Sequence, residues 1–234
     1  MICQGAPPNL VTMRVLALDL SSSTGFAVFE GEMNKEPTLK EHGLVVAPKT
    51  VKEYGPYPWS IYRATWEQST HIVEIFNQYR PDVVVIEETN LGRNRYSQKY
   101  LEMLHGFLLR QFDVIGNWLY KNPAPAQNRV VYLSTSTWRK QLGLSLSSEQ
   151  RKSNRHLTQA RSKARVNGEI DRKLLNIEKK KVGVKKKYNW KDVAIEAANA
   201  RYGLSLRVQT QDDVADAILL GTAFFLGATP CDGK

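Results

Sequence analysis

Residues 14–30 have the sequence RVLALDLSSSTGFAVFE, which predicts two β-strands joined by a short polar turn. Because successive side chains of a strand point to opposite faces, Asp19 shares one face with Val15 and Ala17. A carboxylate among such apolar neighbours loses its hydration and must be compensated by hydrogen bonds or by a cation. Asp19 is therefore the first candidate ligand of a metal ion.

The composition is typical of a folded, basic protein with a polyanionic partner. The 234 residues are 42% hydrophobic, which is sufficient for the core of one domain with an insertion. The formal net charge of +10 indicates nucleic acid as the simplest partner. The two cysteines, Cys3 and Cys231, cannot form a disulfide framework or a zinc site, which favours a reducing, cytoplasmic location. The sequence predicts neither a secretion signal nor a membrane-spanning segment.

The hydrophobic pattern predicts an α/β fold with a mixed five-stranded sheet flanked by helices. A loose leader at residues 1–13 is expected to precede one domain at residues 14–234. Strands are predicted at residues 14–20, 26–30, 41–46, 82–87 and 129–133, and helices at residues 60–79, 97–121, 136–142, 190–202 and 213–226. The helix at residues 97–121 carries a second apolar stripe, formed by Met103, Phe107, Val114 and Trp118. This stripe is either additional core or a dimer interface.

Residues 147–187 differ in kind from the rest of the chain. They contain fourteen Lys and Arg against four Asp and Glu, so their net charge equals the +10 of the whole chain. The segment is predicted to be an insertion that is partly helical or disordered in isolation. We expect a nucleic-acid-binding arm that becomes ordered on binding. Its candidate contacts are Arg151, Arg155, Lys185, Lys186 and Lys187. The alternatives are a solvated charged arm and a nuclear-localisation signal.

Three further acids are candidate ligands besides Asp19. Glu87 ends a predicted central strand, and the carboxyl ends of strands in α/β sheets commonly carry functional groups. Asp213 and Asp216 are three residues apart, so they share a face of the last helix. Acids favour the first turn of a helix, which explains Asp212 well, Asp213 partly and Asp216 poorly. Docking of this helix on the sheet would bring its aspartates toward the strand ends.

Four carboxylates at one place repel each other, so a cation has to neutralise them. An oxygen-only ligand set favours magnesium, with manganese as the alternative. Two such ions can activate a water molecule and stabilise the leaving oxygen of a phosphodiester. Together with the basic segment, the acids predict phosphodiester hydrolysis.

Three motifs in a fixed order resemble the RuvC-type Holliday junction resolvases of the ribonuclease H-like superfamily, in particular its divergent phage and viral members. They are LALDLSSSTGFAVF, PDVVVIEE followed by a long helix, and DDVADAILLG. The resemblance covers most of the chain outside the leader and the basic insertion. It implies a ribonuclease H-like fold and a homodimer in which each subunit nicks one of two opposed strands of a four-way DNA junction.

The resemblance also implies residue roles. The catalytic metal ligands, which would hold two Mg²⁺ ions, are Asp19, Glu87, Asp213 and Asp216. Lys140 falls where the family has a basic residue near the junction backbone, and a second family lysine corresponds to either Lys187 or Lys191.

Two features depart from the family. Bacterial members often place an aromatic wedge after the glutamate, where this chain has Asn90 and Leu91, with Tyr96 as the nearest aromatic residue. The basic insertion is unusual and could extend the substrates to other branched DNA.

Three functions besides junction cleavage stay open. The turn DLSSSTG also resembles the phosphate-binding turn of actin-like nucleotide-binding proteins, which is the first of them. The second is a ribonuclease H-type enzyme that cuts RNA–DNA hybrids, and the third is a DNA-binding protein with a silent nuclease fold.

Overall fold

The computed structural model describes residues 12–49, 51–88, 95–116, 129–166, 168–183, 187–207 and 210–229. Its main strands are β1 (Met13–Asp19), β2 (Ser23–Gly31), β3 (Thr38–Val46), β4 (Val83–Glu87) and β5 (Val130–Leu133). They form one sheet in the order β3–β2–β1–β4–β5. The first three strands make an antiparallel meander, and β4 and β5 run parallel to β1. This is the mixed five-stranded sheet that the sequence predicts.

Helices cover both faces of the sheet. They are α1 (Val51–Tyr54), α2 (Trp59–Tyr79), α3 (Arg95–Gly116), α4 (Thr135–Gln141), α5 (Ser148–Lys163), α6 (Arg172–Lys181), α7 (Trp190–Tyr202) and α8 (Asp212–Phe225). A small hairpin of β6 (Arg165–Val166) and β7 (Glu169–Ile170) connects α5 to α6. The helices α2 and α3 pack on one face of the sheet, and α7 and α8 pack on the other. None of the helices in these ranges is long and apolar enough to cross a membrane.

The alternation of side chains along β1 decides which core each residue joins. Leu16 and Leu18 are fully buried in the core under α2 and α3. Val15 and Ala17 are fully buried in the core under α8. Asp19 continues the second series, so the strand period points its side chain toward α8.

Small residues let α8 approach the sheet closely. A Cβ on Gly221 would lie 2.4 Å from the ring of Phe29 and 3.0 Å from the Cβ of Ala17. Any larger residue at this position would push the helix away from β1 and β2. The backbone of α8 is therefore held near the strand that ends in Asp19.

The basic segment is helical over most of its described residues, which is one of the two states that the sequence predicts. The side chain of Ser147 and that of Gln150 form a reciprocal capping box at the start of α5, and Asp171 caps α6. The Asn154 amide donates to the carbonyl of Tyr188 at 2.7 Å and accepts from its N–H at 2.8 Å. These contacts tie α5 to the chain just before α7, so the segment is a capped helical hairpin attached to the domain.

Two strands begin earlier than their sequence pattern indicates. β2 begins at Ser23 instead of residue 26, and β3 begins at Thr38 instead of residue 41. Serine and glycine read as turn residues, but the backbone at residues 23–25 pairs with residues 44–46 of β3. The predicted leader up to residue 11, the helix end at residues 117–121, and Asn90, Leu91, Lys185 and Lys186 lie outside the described residues.

Candidate metal centre

Two of the four acids end neighbouring parallel strands. β1 and β4 pair in parallel up to the residue before each acid, so Asp19 and Glu87 are next to each other across the two strands. Neighbouring strands are about 4.8 Å apart, and laterally paired residues point to the same face. Ala17 and Val85, two residues earlier, both lie in the core beneath α8. The register therefore places the two carboxylates on the α8 face.

The N-terminal part of α8 lies against β2, beside the end of β1. Gly25 of β2 pairs directly with Asp19 of β1. A Cβ on Gly25 would lie only 1.9 Å from the carbonyl oxygen of Asp213, so the α8 backbone rests on this glycine. Asp213 thus lies one strand away from Asp19, and Asp216 follows on the same helical face.

The Asp19 carboxyl is buried and surrounded by negative charge. Burial raises the pKa of Asp19 well above its usual value, and the charges of Glu87, Asp216 and Asp213 raise that pKa further. Lys191 is the cation that lowers it. No ion pair in the described part of the chain includes Asp19. The ionised form of Asp19 is therefore poorly compensated by the protein itself.

Asp216 has an oxygen without a partner. Burial raises the pKa of the Asp216 carboxyl to about 7, and Glu87 and Asp213 add to this effect while Arg139 and Lys191 oppose it. Oδ1 of Asp216 is buried and has no hydrogen-bond partner among the described residues. Oδ2 lies 3.7 Å from Nη2 of Arg139. A buried acceptor without a partner is costly, and a bound cation would remove that cost.

Burial also raises the pKa of the Asp213 carboxyl, and the charge of Lys191 partly offsets the effect. Three of the four carboxyls therefore have pKa values above their usual range. Each of them would release a proton more readily once a cation was bound.

Glu87 is oriented by α4. Its Oε1 accepts a hydrogen bond from Oγ1 of Thr135 at 2.6 Å, and its Oε2 accepts one from Nε1 of Trp138 at 2.8 Å. Trp138 is fully buried, so its indole N–H is a fixed donor. Each carboxylate oxygen has two lone pairs, and both hydrogen bonds therefore leave an acceptor site for a cation. Partners of this kind commonly orient metal ligands.

The four acids have the donor atoms that a divalent cation prefers, but their side chains are too far apart to bind one together. Oxygen ligands suit Mg²⁺ or Mn²⁺, and the unpartnered Oδ1 of Asp216 is an available donor atom. Across the ranges that the structure describes, no three His, Cys, Asp or Glu side chains are close enough to hold an ion as a group. Mutual repulsion keeps carboxylates apart, so we expect binding to draw the four side chains together by rotation about their own bonds.

Two cations border the acids. The Arg139 guanidinium lies 4.8 Å from the ring centroid of Trp138 and 5.3 Å from that of Trp190, next to Asp216. Lys191, at the start of α7, forms an ion pair with Asp212. Both cations lower the pKa of Asp216. They offset part of the negative charge at the site without occupying the buried Asp216 oxygen.

The remaining basic residues from the sequence lie farther out. Of the two lysines left open by the resemblance, Lys191 acts electrostatically on three of the acids, whereas Lys187 is exposed before α7. Lys140 is exposed on α4, and Arg151 and Arg155 are exposed on α5. These side chains are available to a large ligand at the surface.

Sequence reasoning missed Thr135, Trp138 and Arg139. All three belong to TSTWRKQ, which follows β5 directly. Leu133 of β5 pairs with Glu87 of β4, so the residues after it have to lie near that carboxylate. A prediction that β4 and β5 are parallel neighbours would have placed these three residues next to Glu87.

Comparison with known proteins gives a likeness in fold. No protein-family model and no curated protein sequence matches the chain. Thermus thermophilus RuvC in complex with a Holliday junction substrate matches with 13% identity and a TM-score of 0.53, over 93% of this chain and 99% of that chain. A second RuvC structure from the same organism gives 14% identity, the same coverages and a TM-score of 0.53. The yeast mitochondrial Holliday junction resolvase Ydc2 gives 14% identity over 94% of this chain and 80% of that chain, with a TM-score of 0.47. The predicted fold is confirmed: the chain has the ribonuclease H-like fold of the RuvC structures.

Proposed function

We propose that this chain is a metal-dependent endonuclease that cleaves four-way DNA junctions, and other branched DNA, by phosphodiester hydrolysis. The observation that carries the proposal is the electrostatic coupling of acids from β1, β4 and α8 around one buried carboxyl. Glu87, Asp213 and Asp216 all raise the pKa of the buried Asp19 carboxyl. The RuvC-like fold and the three ordered motifs support the substrate class, and the RuvC structure with a Holliday junction gives a precedent.

The four acids would hold two Mg²⁺ ions, or two Mn²⁺ ions. Such a pair supplies an activated water and stabilises the leaving oxygen of the phosphodiester. The chain itself provides position. β1 fixes Asp19, and the hydrogen bonds from Thr135 and Trp138 orient Glu87. The contact of Gly25 with the α8 backbone sets the distance of Asp213 from the sheet. Arg139 reduces the repulsion between the carboxylates.

The basic hairpin of α5 and α6 would bind the phosphate backbone of the DNA arms. Arg151 and Arg155 are exposed and lie four residues apart on α5, so they share one face. Contacts of this type position a duplex without reading its sequence. This agrees with a nuclease that selects the shape of its substrate.

A homodimer would let two sites act on opposed strands. The second apolar stripe of α3 divides between two environments. Met103 packs partly in the core, whereas Val114 is 63% exposed and Phe107 meets Tyr62 and Trp66 edge-on near the surface. We place the dimer interface on this face of α2 and α3. Sedimentation of the protein should give twice the monomer mass, and a monomer at micromolar concentration would contradict the dimer.

The test compares four-way, three-way, flap and RNA–DNA hybrid substrates, each with Mg²⁺ or with a chelator. We expect Mg²⁺-dependent nicking, fastest on the four-way junction. Asp19→Asn should abolish cleavage but leave junction binding largely intact. Glu88→Gln is the matched control, because Glu88 follows Glu87 and successive residues of an extended chain point to opposite faces. Normal cutting by Asp19→Asn would refute the site, and preferential cutting of the hybrid would favour the ribonuclease H alternative.

A further inference from the structure

Arg139 is held beside the candidate metal centre by two tryptophans. Its guanidinium carbon lies 4.8 Å from the centroid of the Trp138 ring and 5.3 Å from the centroid of the Trp190 ring. Trp138 is fully buried in α4, and Trp190 is the first residue of α7. A cation over an aromatic ring is attracted to it, and a guanidinium also stacks on such rings. Residues of two helices therefore fix the Arg139 guanidinium, whose side chain is only 21% exposed.

The N–H groups of this guanidinium have no hydrogen-bond acceptor among the described residues. Oδ2 of Asp216, with which Arg139 forms an ion pair, is 3.7 Å from Nη2, whereas N–H···O hydrogen bonds are about 2.7–3.2 Å long. Two other arginines in ion pairs, Arg14 and Arg201, do donate hydrogen bonds to their glutamate partners. A guanidinium has five N–H donors, and polar groups withdrawn from water are normally hydrogen-bonded. Arg139 therefore presents unused donors to an acceptor outside the described protein.

The position of these donors favours a DNA phosphate as the acceptor. Trp138, the residue before Arg139, donates to Glu87, and Arg139 itself lies beside Asp216, so two of the four acids border the guanidinium. Trp190 comes two residues after the backbone that α5 ties down, so the same cluster adjoins the basic hairpin. The planar fork of a guanidinium matches the oxygens of a phosphate. With a net charge of +10, the chain attracts polyanions such as the phosphodiester backbone.

We propose that Arg139 donates hydrogen bonds to the non-bridging oxygens of the phosphate that is cut, which makes it a catalytic residue. The inference rests on the proposed nuclease function and adds to it a direct contact between the protein and the substrate. Donors that are fixed before the reaction stabilise developing negative charge because they need no reorganisation. The two tryptophans supply this fixation. A lysine keeps the charge but lacks the planar fork, so it is an incomplete replacement.

The binding test replaces one charged phosphate oxygen by a methyl group, as a methylphosphonate, at each linkage around the crossover of a four-way junction in turn. With Ca²⁺ in place of Mg²⁺, we expect one linkage at which this change weakens binding of the wild type, and at which the loss is roughly tenfold smaller in Arg139→Gln, the scale of a hydrogen bond to a charged group. Each protein is compared with itself on two DNAs, so a lower folded fraction cancels from the ratio. Arg201→Gln is the matched control, because Arg201 pairs with Glu36 at the other end of α7. Equal losses in the wild type and in Arg139→Gln at every linkage overturn the inference.

The cleavage test measures single-turnover rates at saturating protein and Mg²⁺, so that weaker binding does not contribute. Arg139→Gln should cut roughly a hundred- to a thousandfold more slowly, the loss expected when one fixed donor is removed, and Arg139→Lys should recover part of the rate. The linkage that responds in the binding test should be the linkage that is nicked. A wild-type rate in Arg139→Gln, or a responding linkage away from the nick, overturns the inference.

The two tests separate this inference from the proposed function. If the wild type cuts DNA but no linkage depends on Arg139, the nuclease function stands and the inference fails. If no DNA is cut but one linkage still depends on Arg139, the nuclease function fails and the phosphate contact stands.

Discussion

Replacing Gly25 by alanine should separate α8 from the sheet and impair the metal centre. The new Cβ would lie 1.9 Å from the Asp213 carbonyl oxygen, and real Cβ atoms essentially never come closer than 3.0 Å to another atom. The helix backbone therefore has to retreat by about 1.1 Å, which is the difference between these distances. It cannot do so freely, because Val214 and Ala215 are buried in the core beside it.

The expected cost has two parts. Forcing an extra methyl group into a packed core destabilises a protein by about 1–3 kcal/mol, which urea denaturation can measure. A displacement of about 1 Å at a catalytic group lowers the rate by roughly a hundredfold, which initial cleavage rates at saturating Mg²⁺ can measure. Gly106→Ala is the control, since nothing lies within 4 Å of its Cβ and alanine favours the helix. Wild-type stability and rate in Gly25→Ala would refute the packing argument.

Three further predictions concern charge and the buried network. Asp216→Asn should stabilise the metal-free protein near pH 8 by at most roughly 4 kcal/mol, the equivalent of a pKa raised from 3.8 to about 7. Because the pKa of Asp216 is higher in the folded than in the unfolded state, the wild type loses stability as the pH rises from about 4 to about 7. The advantage of Asp216→Asn over the wild type should therefore vanish near pH 4 in thermal melts. An equal advantage at pH 4 and at pH 8 would contradict the prediction. Gln68→Leu should lower the free energy of unfolding, measured by urea denaturation, by about 2–4 kcal/mol, because it leaves several hydrogen-bond partners of Gln68 unsatisfied. An unchanged free energy of unfolding would show that these partners remain satisfied. Arg151→Gln with Arg155→Gln should reduce the salt dependence of junction binding by about 0.9 in slope for each phosphate that the arginines no longer neutralise. An unaltered slope in the double variant would remove α5 from the interface.

The sheet and the acids follow from short-range patterns. The period of β1 placed Asp19 on the face of Ala17, and the structure puts Ala17 under α8. The buried run at residues 83–86 identified β4 as a central strand, and its parallel neighbour β1 brings Asp19 and Glu87 together. The alternation of side chains can be inferred from the residue pattern, whereas the parallel pairing of β4 with β1 joins distant segments and comes from the structure.

The surroundings of the acids depend on contacts between distant segments. Trp138 reads as an ordinary core residue of a short helix, and only the pairing of β5 with β4 brings its indole to Glu87. Gln68 reads as a polar residue within α2, and only the packing of α2 on the sheet brings it to Ser21. The attachment of the basic segment to the domain also could not be predicted, because the hydrogen bond between Asn154 and Tyr188 spans 34 residues.

Anomalous diffraction from crystals grown with Mn²⁺ tests the central claim most directly. We expect anomalous peaks between the end of β1 and the first turn of α8, with carboxylate oxygens of Asp19, Glu87, Asp213 and Asp216 drawn in to about 2.0–2.3 Å. Mn²⁺ bound elsewhere, or an empty site with the four side chains still apart, would contradict it.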